Sequence, residues 1–203
     1  MLVTDDRLLA GRDLLAVARA AVAGGASSVQ LRLKLATARE QVALVRALVA
    51  ALPVPVLVND RPDIAIAAGA AGVHLGPDDL SVEATRRIAP SGFVVGASVG
   101  SPEEAEAAGA ADYWGIGPWR VTTTKADAGA GLGPEGFGRL VALAGGQPCL
   151  AIGAVQPDDA ADIRAAGGNG LAVVSGILGE PDAEAAARRY ASALEHAFMP
   201  NPA

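Results

Sequence analysis

A short unit, in which a helix end is followed by glycine and then by a strand, recurs along the chain of 203 residues. Its copies begin at Ala23-Gly24-Gly25, Ala68-Gly69-Ala70, Ala108-Gly109-Ala110 and Ala166-Gly167-Gly168. Glycine after the last helical turn readily adopts the left-handed conformation that ends a helix. Because aliphatic strands and Ala-rich helices alternate throughout, at about 25 residues per pair, the pattern predicts a parallel α/β fold.

The number of these units favours one architecture among the parallel α/β folds. Aliphatic runs predict eight strands, which begin near residues 2, 29, 55, 73, 93, 113, 149 and 171. Apolar residues at three- and four-residue spacing predict helices near residues 12–23, 38–51, 61–68, 82–88, 102–108, 134–144, 157–166 and 183–197. Eight units in a chain of this length predict a single domain, residues 1–203, folded as a (β/α)8 TIM barrel. A doubly wound open sheet is the alternative, although no Gly-x-Gly-x-x-Gly turn follows the first strand.

Charge and composition limit the partners of such a domain. The net charge is −6, and no basic block is interleaved with aromatic residues, so nucleic acid is not an expected partner. The single cysteine, Cys149, cannot form an intrachain disulfide, and its aliphatic neighbours predict a buried strand thiol. The acidic start of the chain and its interrupted apolar stretches predict neither a signal peptide nor a membrane span. We therefore expect a reducing, cytoplasmic setting.

An alternating row of polar residues marks the second strand. Gln30, Arg32 and Lys34 alternate with aliphatic residues in Val29-Gln30-Leu31-Arg32-Leu33-Lys34. The period of two in a strand places the three polar side chains on one face. Such a row is costly in a strand buried on both faces unless that face opens onto a polar ligand. The alternative is an edge strand with one solvated face.

Polar residues also collect at the predicted ends of other strands. They are Asn59-Asp60-Arg61 after the third strand, His74 and Asp78-Asp79 with the fourth, Ser98 with the fifth, and Thr122-Thr123-Thr124-Lys125 after the sixth. The active site of a TIM barrel is built at the C-terminal ends of its strands. We therefore expect these side chains to meet on one face of the barrel.

The chemistry of this set suggests magnesium pyrophosphate. Arg32, Lys34 and Lys125 supply positive charge, whereas Asp60 and Asp79 supply hard oxygen ligands. Magnesium is commonly held by one or two carboxylates together with substrate phosphates. Each aspartate also has an alternative role at a helix start, Asp60 at the third helix and Asp79 at the fourth.

A second anion site is predicted after the last two strands. Ile152-Gly153-Ala154 and Val173-Val174-Ser175-Gly176 contain small residues, which let backbone N–H groups approach a phosphate. A pair of tight turns is the alternative. Two anion sites on one face would suit a reaction that joins two phosphorylated substrates.

Three further features have two interpretations each. His74 is expected to be a hydrogen-bonded barrel residue rather than a general base. The Gly-rich segment 126–134 is either an ordinary connection or a loop that closes over substrate. Trp119 either walls a ring-binding pocket or packs in the core.

Over nearly its whole length the chain resembles the thiamine-phosphate synthase family. The resemblance rests on segments in the family's order: Gln30-Leu31-Arg32-Leu33-Lys34, Val58-Asn59-Asp60-Arg61, Val73-His74-Leu75-Gly76-Pro77-Asp78-Asp79-Leu80, Gly117-Pro118, Thr122-Thr123-Thr124-Lys125 and Val173-Val174-Ser175. It implies a Mg²⁺-dependent transferase of thiamine biosynthesis. In this family a pyrimidine-methyl pyrophosphate ionises to a carbocation, which the nitrogen of a thiazole phosphate captures. The implied partners are these small-molecule substrates, and a homo-oligomer is a further expectation.

The same resemblance implies roles for individual residues. Catalysis is implied for Arg32, Lys34, Ser98 and Lys125, and Mg²⁺ ligation for Asp60 and Asp79. Substrate binding is implied for Gln30, Leu31, Arg32, Leu33, Lys34, Asn59, Ser98, Thr122, Thr123, Thr124, Lys125, Ala154, Val174 and Ser175. Of these, the thiazole phosphate would be received by Thr122, Thr124, Val174 and Ser175.

Several positions depart from the family's usual pattern. Leu33 stands where Glu is usual and is expected to be a packing residue, Gly100 replaces a His, and Arg120-Val121 replaces an apolar-Pro pair. Ala154 replaces a glycine, so its methyl group is expected to crowd the thiazole phosphate or to demand a negative φ. Two alternatives follow: a thiazole tautomerase, which needs no pyrophosphate site, and a non-catalytic protein that binds thiazole or pyrimidine phosphates.

Overall fold

Strands and helices alternate through the computed structural model of the protein, which describes residues 1–121 and 130–199. Its strands are β1 Leu2–Val3, β2 Val29–Leu31, β3 Val56–Asn59, β4 Gly72–Leu75, β5 Val94–Val99, β6 Tyr113–Ile116, β7 Cys149–Ile152 and β8 Gly170–Ala172. Its helices are α1 Leu14–Ala23, α2 Ala38–Ala51, α3 Pro62–Ala68, α4 Val82–Ile88, α5 Pro102–Ala107, α6 Gly133–Val141, α7 Ala160–Ala165, α8 Ser175–Leu178 and α9 Ala183–Phe198. A 3-10 turn, Pro157–Asp159, precedes α7.

The strands are parallel and follow one another around the sheet in chain order. The two ends of the sheet meet, because the N–H of Val3 donates to the Val173 carbonyl at 2.9 Å and the N–H of Val173 donates to the Met1 carbonyl at 3.0 Å. The predicted (β/α)8 barrel is confirmed, and the open-sheet alternative is wrong. The edge-strand interpretation of β2 is also wrong, since β2 pairs with both β1 and β3.

Local sequence signals set the helix boundaries close to the predicted ones. Asp13 caps α1, and Thr37 with Glu40 forms a capping box at the start of α2. The glycines of the repeated unit end helices as predicted; Gly69 after α3, for example, has a φ of +74°. Among the helices of the described residues, the short helix α8 alone was not predicted, because four residues are too few to show a helical period.

The outward-facing strand side chains form the main core under the helices. Leu31, Val58 and Ile116 are completely shielded from solvent. Trp119 is 3% exposed and packs edge-on against Phe137, with ring centroids 5.6 Å apart. The core interpretation of Trp119 is therefore correct, and the pocket-wall alternative is wrong.

The single cysteine, Cys149, lies where the sequence predicts it. Cys149 is fully buried in β7, as predicted, and burial raises the pKa of its thiol to about 11. The thiol therefore stays protonated and unreactive near neutral pH.

Among residues 1–121 and 130–199, no helix is long and apolar enough to cross a bilayer.

Candidate active site

A cavity of about 280 Å³ opens at the C-terminal ends of the barrel strands. Most of the predicted site residues that the structure describes line it: Gln30, Arg32, Lys34, Asn59, Asp60, Asp79, Ser98, Ala154, Val174 and Ser175. These residues follow or end different strands, and the parallel barrel brings those strand ends together. The expectation that polar residues at the strand ends share one face is confirmed for the described residues except Arg61, which lies outside the cavity lining.

Arg32 and Lys34, here called the cationic wall, follow β2. The strand itself ends at Leu31, earlier than the alternation of residues suggested. Beyond it, the N–H of Arg32 donates to Oγ1 of Thr4 at 2.8 Å, and the Thr4 hydroxyl donates back to the Arg32 carbonyl at 3.2 Å. The N–H of Lys34 donates to the Asp6 carboxylate at 2.7 Å. The residues after β1 therefore fix the course of the segment that carries both cations.

The Arg32 guanidinium has a carboxylate partner of its own. Its Nη1 lies 3.0 Å from Oδ2 of Asp5, and the two side chains are only 17% and 12% exposed. Asp5 is anchored in turn, because its Oδ1 accepts hydrogen bonds from the N–H groups of Arg7 and Leu8. Charge-assisted bonds between partly buried groups hold a guanidinium in one orientation. Asp5 therefore positions the charge of Arg32 at the cavity.

The leucines of the same segment lie outside the cavity lining. Leu31 is fully buried in the core, and Leu33 is partly buried and packs against that core. The packing role expected for Leu33 is confirmed. A contact of either residue with substrate would therefore have to use main-chain atoms.

Asp60 and Asp79, here called the carboxylate pair, lie beside the cationic wall. Asp60 has a φ of +65°, and its N–H donates to the His74 carbonyl at 2.8 Å. Oδ2 of Asp79 accepts the N–H of Gly76 at 2.6 Å. Nζ of Lys34 lies 3.7 Å from Oδ2 of Asp60. The backbone of Asp60 is thus held by β4 and the Asp79 carboxylate by Gly76, and both side chains line the same part of the cavity.

The carboxyl group of Asp79 ionises less readily than an exposed aspartate does. Burial, together with the hydrogen bond and charge of Asp60, raises the pKa of Asp79 to about 6. The helix-start alternatives are wrong, because Arg61 occupies the N-cap of α3 and Ser81 caps α4. In the described part of the chain, no cluster of three or more His, Cys, Asp or Glu residues is placed to hold a metal ion. A cation bound by this pair would therefore take its other ligands from substrate and water.

A buried polar network forms the floor of the cavity. Nδ1 of His74 lies 2.9 Å from the hydroxyl of Tyr113, and Nε2 lies 3.0 Å from Oγ of Ser98. Gln30, only 4% exposed, lies beside this network, and its Nε2 donates to the sulfur of Met1 at 3.8 Å. His74 is thus hydrogen-bonded inside the barrel, as predicted. Burial raises the pKa of Tyr113, so its hydroxyl stays protonated.

Two glycines leave the space that this network occupies. A Cβ atom at Gly96 would lie 2.1 Å from Cζ of Tyr113. A Cβ atom at Gly115 would lie 2.9 Å from Cε1 of His74. Any side chain at either position would displace a ring of the floor.

We expect Gly96→Ala to lower the free energy of unfolding by about 1–3 kcal/mol, because the Tyr113 ring cannot move without disturbing its bond to His74. Gly138→Ala in α6 is a matched control: its Cβ would lie at an ordinary 3.7 Å from Ala166, and alanine favours a helix. Urea unfolding followed by circular dichroism measures both variants. Equal stability of Gly96→Ala and the wild-type protein would contradict this packing.

The turn after β7 forms a second wall of the cavity. Gly153 and Ala154 both have positive φ, at +98° and +50°. For alanine the left-handed conformation costs about 1 kcal/mol. The expectation that Ala154 would demand a negative φ is wrong. Val174 caps and Ser175 begins α8, so the backbone after β8 faces the same cavity.

Part of the predicted site falls outside the described residues. Thr122, Thr123, Thr124 and Lys125 lie there, and so do residues 126–129 of the Gly-rich segment. The last residues of that segment begin α6. The roles of the threonines and of Lys125, and the closing-loop interpretation, stay predictions.

Several residues of the site were missed in the sequence. Thr4, Asp5 and Asp6 directly follow β1, the same location that identified polar residues on the other strands, so a signal was present. Tyr113 gave no signal, because its hydrogen bond to His74 depends on barrel geometry. Glu104 lines the cavity and accepts the N–H of Gly100 at 2.6 Å, a contact that local sequence does not indicate.

Comparisons with known proteins agree with this architecture. A family model described as thiamine monophosphate synthase matches residues 1–177. The thiamine-phosphate synthase of Methanospirillum hungatei is 42% identical over 200 residues, which cover 96% of this chain and 97% of that protein. The thiamine-phosphate synthase of Azorhizobium caulinodans is 45% identical over 202 residues, covering 96% of this chain and 93% of that protein.

Solved structures extend the comparison to three dimensions. Thiamine phosphate pyrophosphorylase from Pyrococcus furiosus superposes with a TM-score of 0.86 at 33% identity, covering 98% of this chain and 96% of that chain. Orotidine 5'-phosphate decarboxylase from Pyrococcus horikoshii has a TM-score of 0.70 at 17% identity, with 96% and 99% of the chains covered, and shares the fold alone. On sequence and structure together, the chain belongs to the thiamine monophosphate synthase family of transferase enzymes.

Proposed function

We propose that this protein is a thiamine-phosphate synthase. It transfers the 4-amino-2-methylpyrimidin-5-ylmethyl group from its pyrophosphate to the thiazole phosphate, giving thiamine phosphate and pyrophosphate. The observation that carries the proposal is the meeting of the cationic wall, the carboxylate pair and the polar floor in one cavity. The names of relatives that are 42% and 45% identical support the same activity.

The proposed reaction needs charge stabilisation more than proton transfer. The bond between the methylene carbon and the pyrophosphate oxygen breaks, and its electron pair leaves with pyrophosphate. The thiazole nitrogen then donates its lone pair to the cationic carbon, and no proton is removed in either step. Arg32 and Lys34 stabilise the negative charge that develops on the leaving group. Lys125 is proposed to add a third positive charge.

The polar floor is proposed to hold the pyrimidine ring. Gln30 and Ser98 both line the cavity, Ser98 is already held by His74, and Gln30 by the sulfur of Met1. Hydrogen bonds from fixed groups place the ring without an ordering cost at the moment of reaction. Asn59, the last residue of β3, directly precedes Asp60 and lines the same cavity.

The carboxylate pair fits a magnesium ion. Two carboxylates line one part of the cavity, and burial, then the neighbouring Asp60, raises the pKa of Asp79, a setting that favours a bound cation. Asp60 and Asp79 would hold the ion, with phosphate oxygens and water as its other ligands. Bound there, magnesium supplies a charge that neutralises pyrophosphate.

The thiazole phosphate is proposed to bind at the ends of β7 and β8. Gly153, Ala154, Val174 and Ser175 line this side of the cavity. Backbone N–H groups after the last two strands commonly bind phosphate in TIM barrels. Thr122 and Thr124 are proposed to complete this site.

A turnover assay tests the proposal. The purified protein is incubated with the pyrimidine pyrophosphate, the thiazole phosphate and Mg²⁺, while thiamine phosphate and pyrophosphate are quantified. Equal amounts of both products support the synthase. Isomerisation of a thiazole carboxylate phosphate without pyrophosphate release would instead identify a tautomerase. Binding of both substrates without turnover would identify a non-catalytic binding protein.

Three broader expectations remain proposals. They are the single-domain organisation over residues 1–203, a homo-oligomeric state and a cytoplasmic location. Size-exclusion chromatography with light scattering measures the oligomeric state directly.

A further inference from the structure

An ion pair lies behind the wall that follows β7. Both terminal nitrogens of Arg120 contact the Asp159 carboxylate, with Nη1 2.5 Å from Oδ2. Asp159 is only 4% exposed, and its Oδ2 also accepts the N–H of Gln156 at 2.7 Å. Burial opposes ionisation of this carboxyl, but the hydrogen bonds from Arg120 hold its pKa below the ordinary value. The pair is therefore charged and fixed in place.

Arg120 and its neighbours hold the turn of residues 152–155, here called the β7 turn. Each carbonyl of the turn accepts a hydrogen bond from a residue outside the cavity lining: Ile152 from the Trp119 N–H at 2.7 Å, Gly153 from the Arg120 N–H at 3.0 Å, Ala154 from Nη1 of Arg120 at 3.3 Å, and Val155 from the Tyr190 hydroxyl at 3.0 Å. The orientation of every peptide plane in the turn is fixed by these bonds.

Fixed carbonyls imply fixed N–H groups. In a trans peptide the N–H points opposite to the carbonyl of the preceding residue. The N–H groups of Gly153, Ala154 and Val155 therefore point away from the donors that hold the turn. All three residues line the cavity. Consecutive backbone N–H groups of this kind form a binding surface for an anion.

Ala154 is the strained position in this turn. Its φ of +50° is one that alanine adopts reluctantly, whereas glycine adopts it freely. Its carbonyl is held by the Arg120 side chain, whereas main-chain N–H groups hold the two preceding carbonyls. Without the guanidinium the Ala154 carbonyl is released, so Ala154 would tend to relax toward negative φ and turn the N–H of Val155 away from the cavity.

We propose that Arg120, anchored by Asp159, is a positioning residue that keeps Ala154 left-handed and so aims the N–H groups of the β7 turn at the phosphate of the thiazole substrate. The assignment rests on the proposed function for the identity of the anion. It also links two departures from the family's usual pattern, the arginine at position 120 and the alanine at position 154. The arginine supplies from the side chain what a glycine would supply through its backbone freedom.

The test combines Arg120→Gln with Ala154→Gly. We expect Arg120→Gln to raise both the Kd and the KM for the thiazole phosphate about tenfold, with the KM for the pyrimidine pyrophosphate changed less than about twofold. Adding Ala154→Gly to Arg120→Gln should recover most of this loss, because glycine needs no help to hold a positive φ. A disturbance of the segment after Arg120 would not be recovered by a substitution at position 154.

Arg86→Gln is the matched control. Arg86 pairs with Asp112 at 2.7 Å, and Oδ2 of Asp112 accepts the N–H of Val95, so this pair repeats the arrangement of Arg120 and Asp159 outside the cavity lining. Both constants should stay within about twofold of the wild-type values in this variant. The comparison separates a positioning role from a general loss of stability.

Calorimetry with the thiazole phosphate alone measures its Kd without any turnover. Three results would each overturn the positioning role. They are an unchanged affinity of Arg120→Gln for the thiazole phosphate, an equal loss of affinity for both substrates, and no recovery of affinity when Ala154→Gly is added. If the wild-type protein binds the thiazole phosphate but forms no thiamine phosphate, the proposed function fails while the affinities still decide the role of Arg120. If the wild-type protein binds no thiazole phosphate, both proposals fall.

Discussion

Asp60→Asn and Asp79→Asn should each lower kcat/KM for thiamine phosphate formation by about 100- to 1,000-fold. Each substitution removes one of the two carboxylates proposed to hold magnesium. Asparagine keeps the shape of the side chain and tolerates the positive φ of Asp60. Initial rates measured over a range of Mg²⁺ concentrations should show a higher Mg²⁺ requirement in both variants.

The stability of Asp79→Asn checks that this loss is not caused by unfolding. Asp79 has a folded-state pKa of about 6 against an ordinary value of 3.8, so its ionised form destabilises the fold above pH 6. We expect the asparagine variant to be more stable than the wild-type protein by about 1 kcal/mol at pH 7.5, a value reduced for the partial exposure of the carboxyl. The gain should decline as the pH falls from 6 and vanish below 3.8, where the carboxyl is protonated in both states.

Asp63→Asn is the matched control for these two variants. Asp63 pairs with Arg61 at 2.6 Å on the surface of α3, outside the cavity lining. Its kcat/KM should stay within about twofold of the wild-type value. Full activity of both Asp60→Asn and Asp79→Asn at limiting Mg²⁺ would rule out the proposed metal site.

Arg32→Gln should lower kcat/KM for the pyrimidine pyrophosphate by about 100- to 1,000-fold, because it removes a fixed charge from the departing pyrophosphate. Asp5→Asn should lower it by about tenfold, since the cation stays but loses the carboxylate that orients it. The asparagine oxygen can still accept the N–H groups of Arg7 and Leu8, so the turn after β1 is kept. Steady-state kinetics with each substrate varied in turn measures both effects.

Arg188→Gln controls for the loss of a positive charge elsewhere. Arg188 pairs with Glu184 at 2.5 Å along α9, and its side chain is 60% exposed. Activity should be unchanged, because an exposed pair of this kind contributes little. An Arg32→Gln variant as active as Arg188→Gln would contradict the assignment of the cationic wall.

The barrel was predictable because its signals are local and repeated. Four helix ends are followed by glycine and most strands are aliphatic runs, so the repeated alternation indicates one closed architecture. The positions of Asp60, Asp79 and Ser98 were predictable for a related reason. Parallel strands bring their C-terminal ends together, whatever the details of their packing.

Features that depend on contacts between distant segments were not predictable. The alternation of Gln30, Arg32 and Lys34 suggested a longer strand, but the N–H of Arg32 bonds to the Thr4 side chain instead of continuing the sheet. Ala154 was expected to need a negative φ, which is its local preference. The Arg120 side chain lies 34 positions away in sequence and holds the carbonyl of Ala154, so a tertiary contact overrides that preference.

A crystal structure with thiamine phosphate, pyrophosphate and Mg²⁺ tests the central claim most directly, because it shows whether one cavity serves both substrates. The account predicts pyrophosphate against Arg32 and Lys34, the metal on Asp60 and Asp79, the pyrimidine ring over Gln30 and Ser98, and the thiazole phosphate at the N–H groups of residues 153–155. Pyrophosphate or the pyrimidine ring bound outside the cavity, with the cavity containing only solvent, would contradict it.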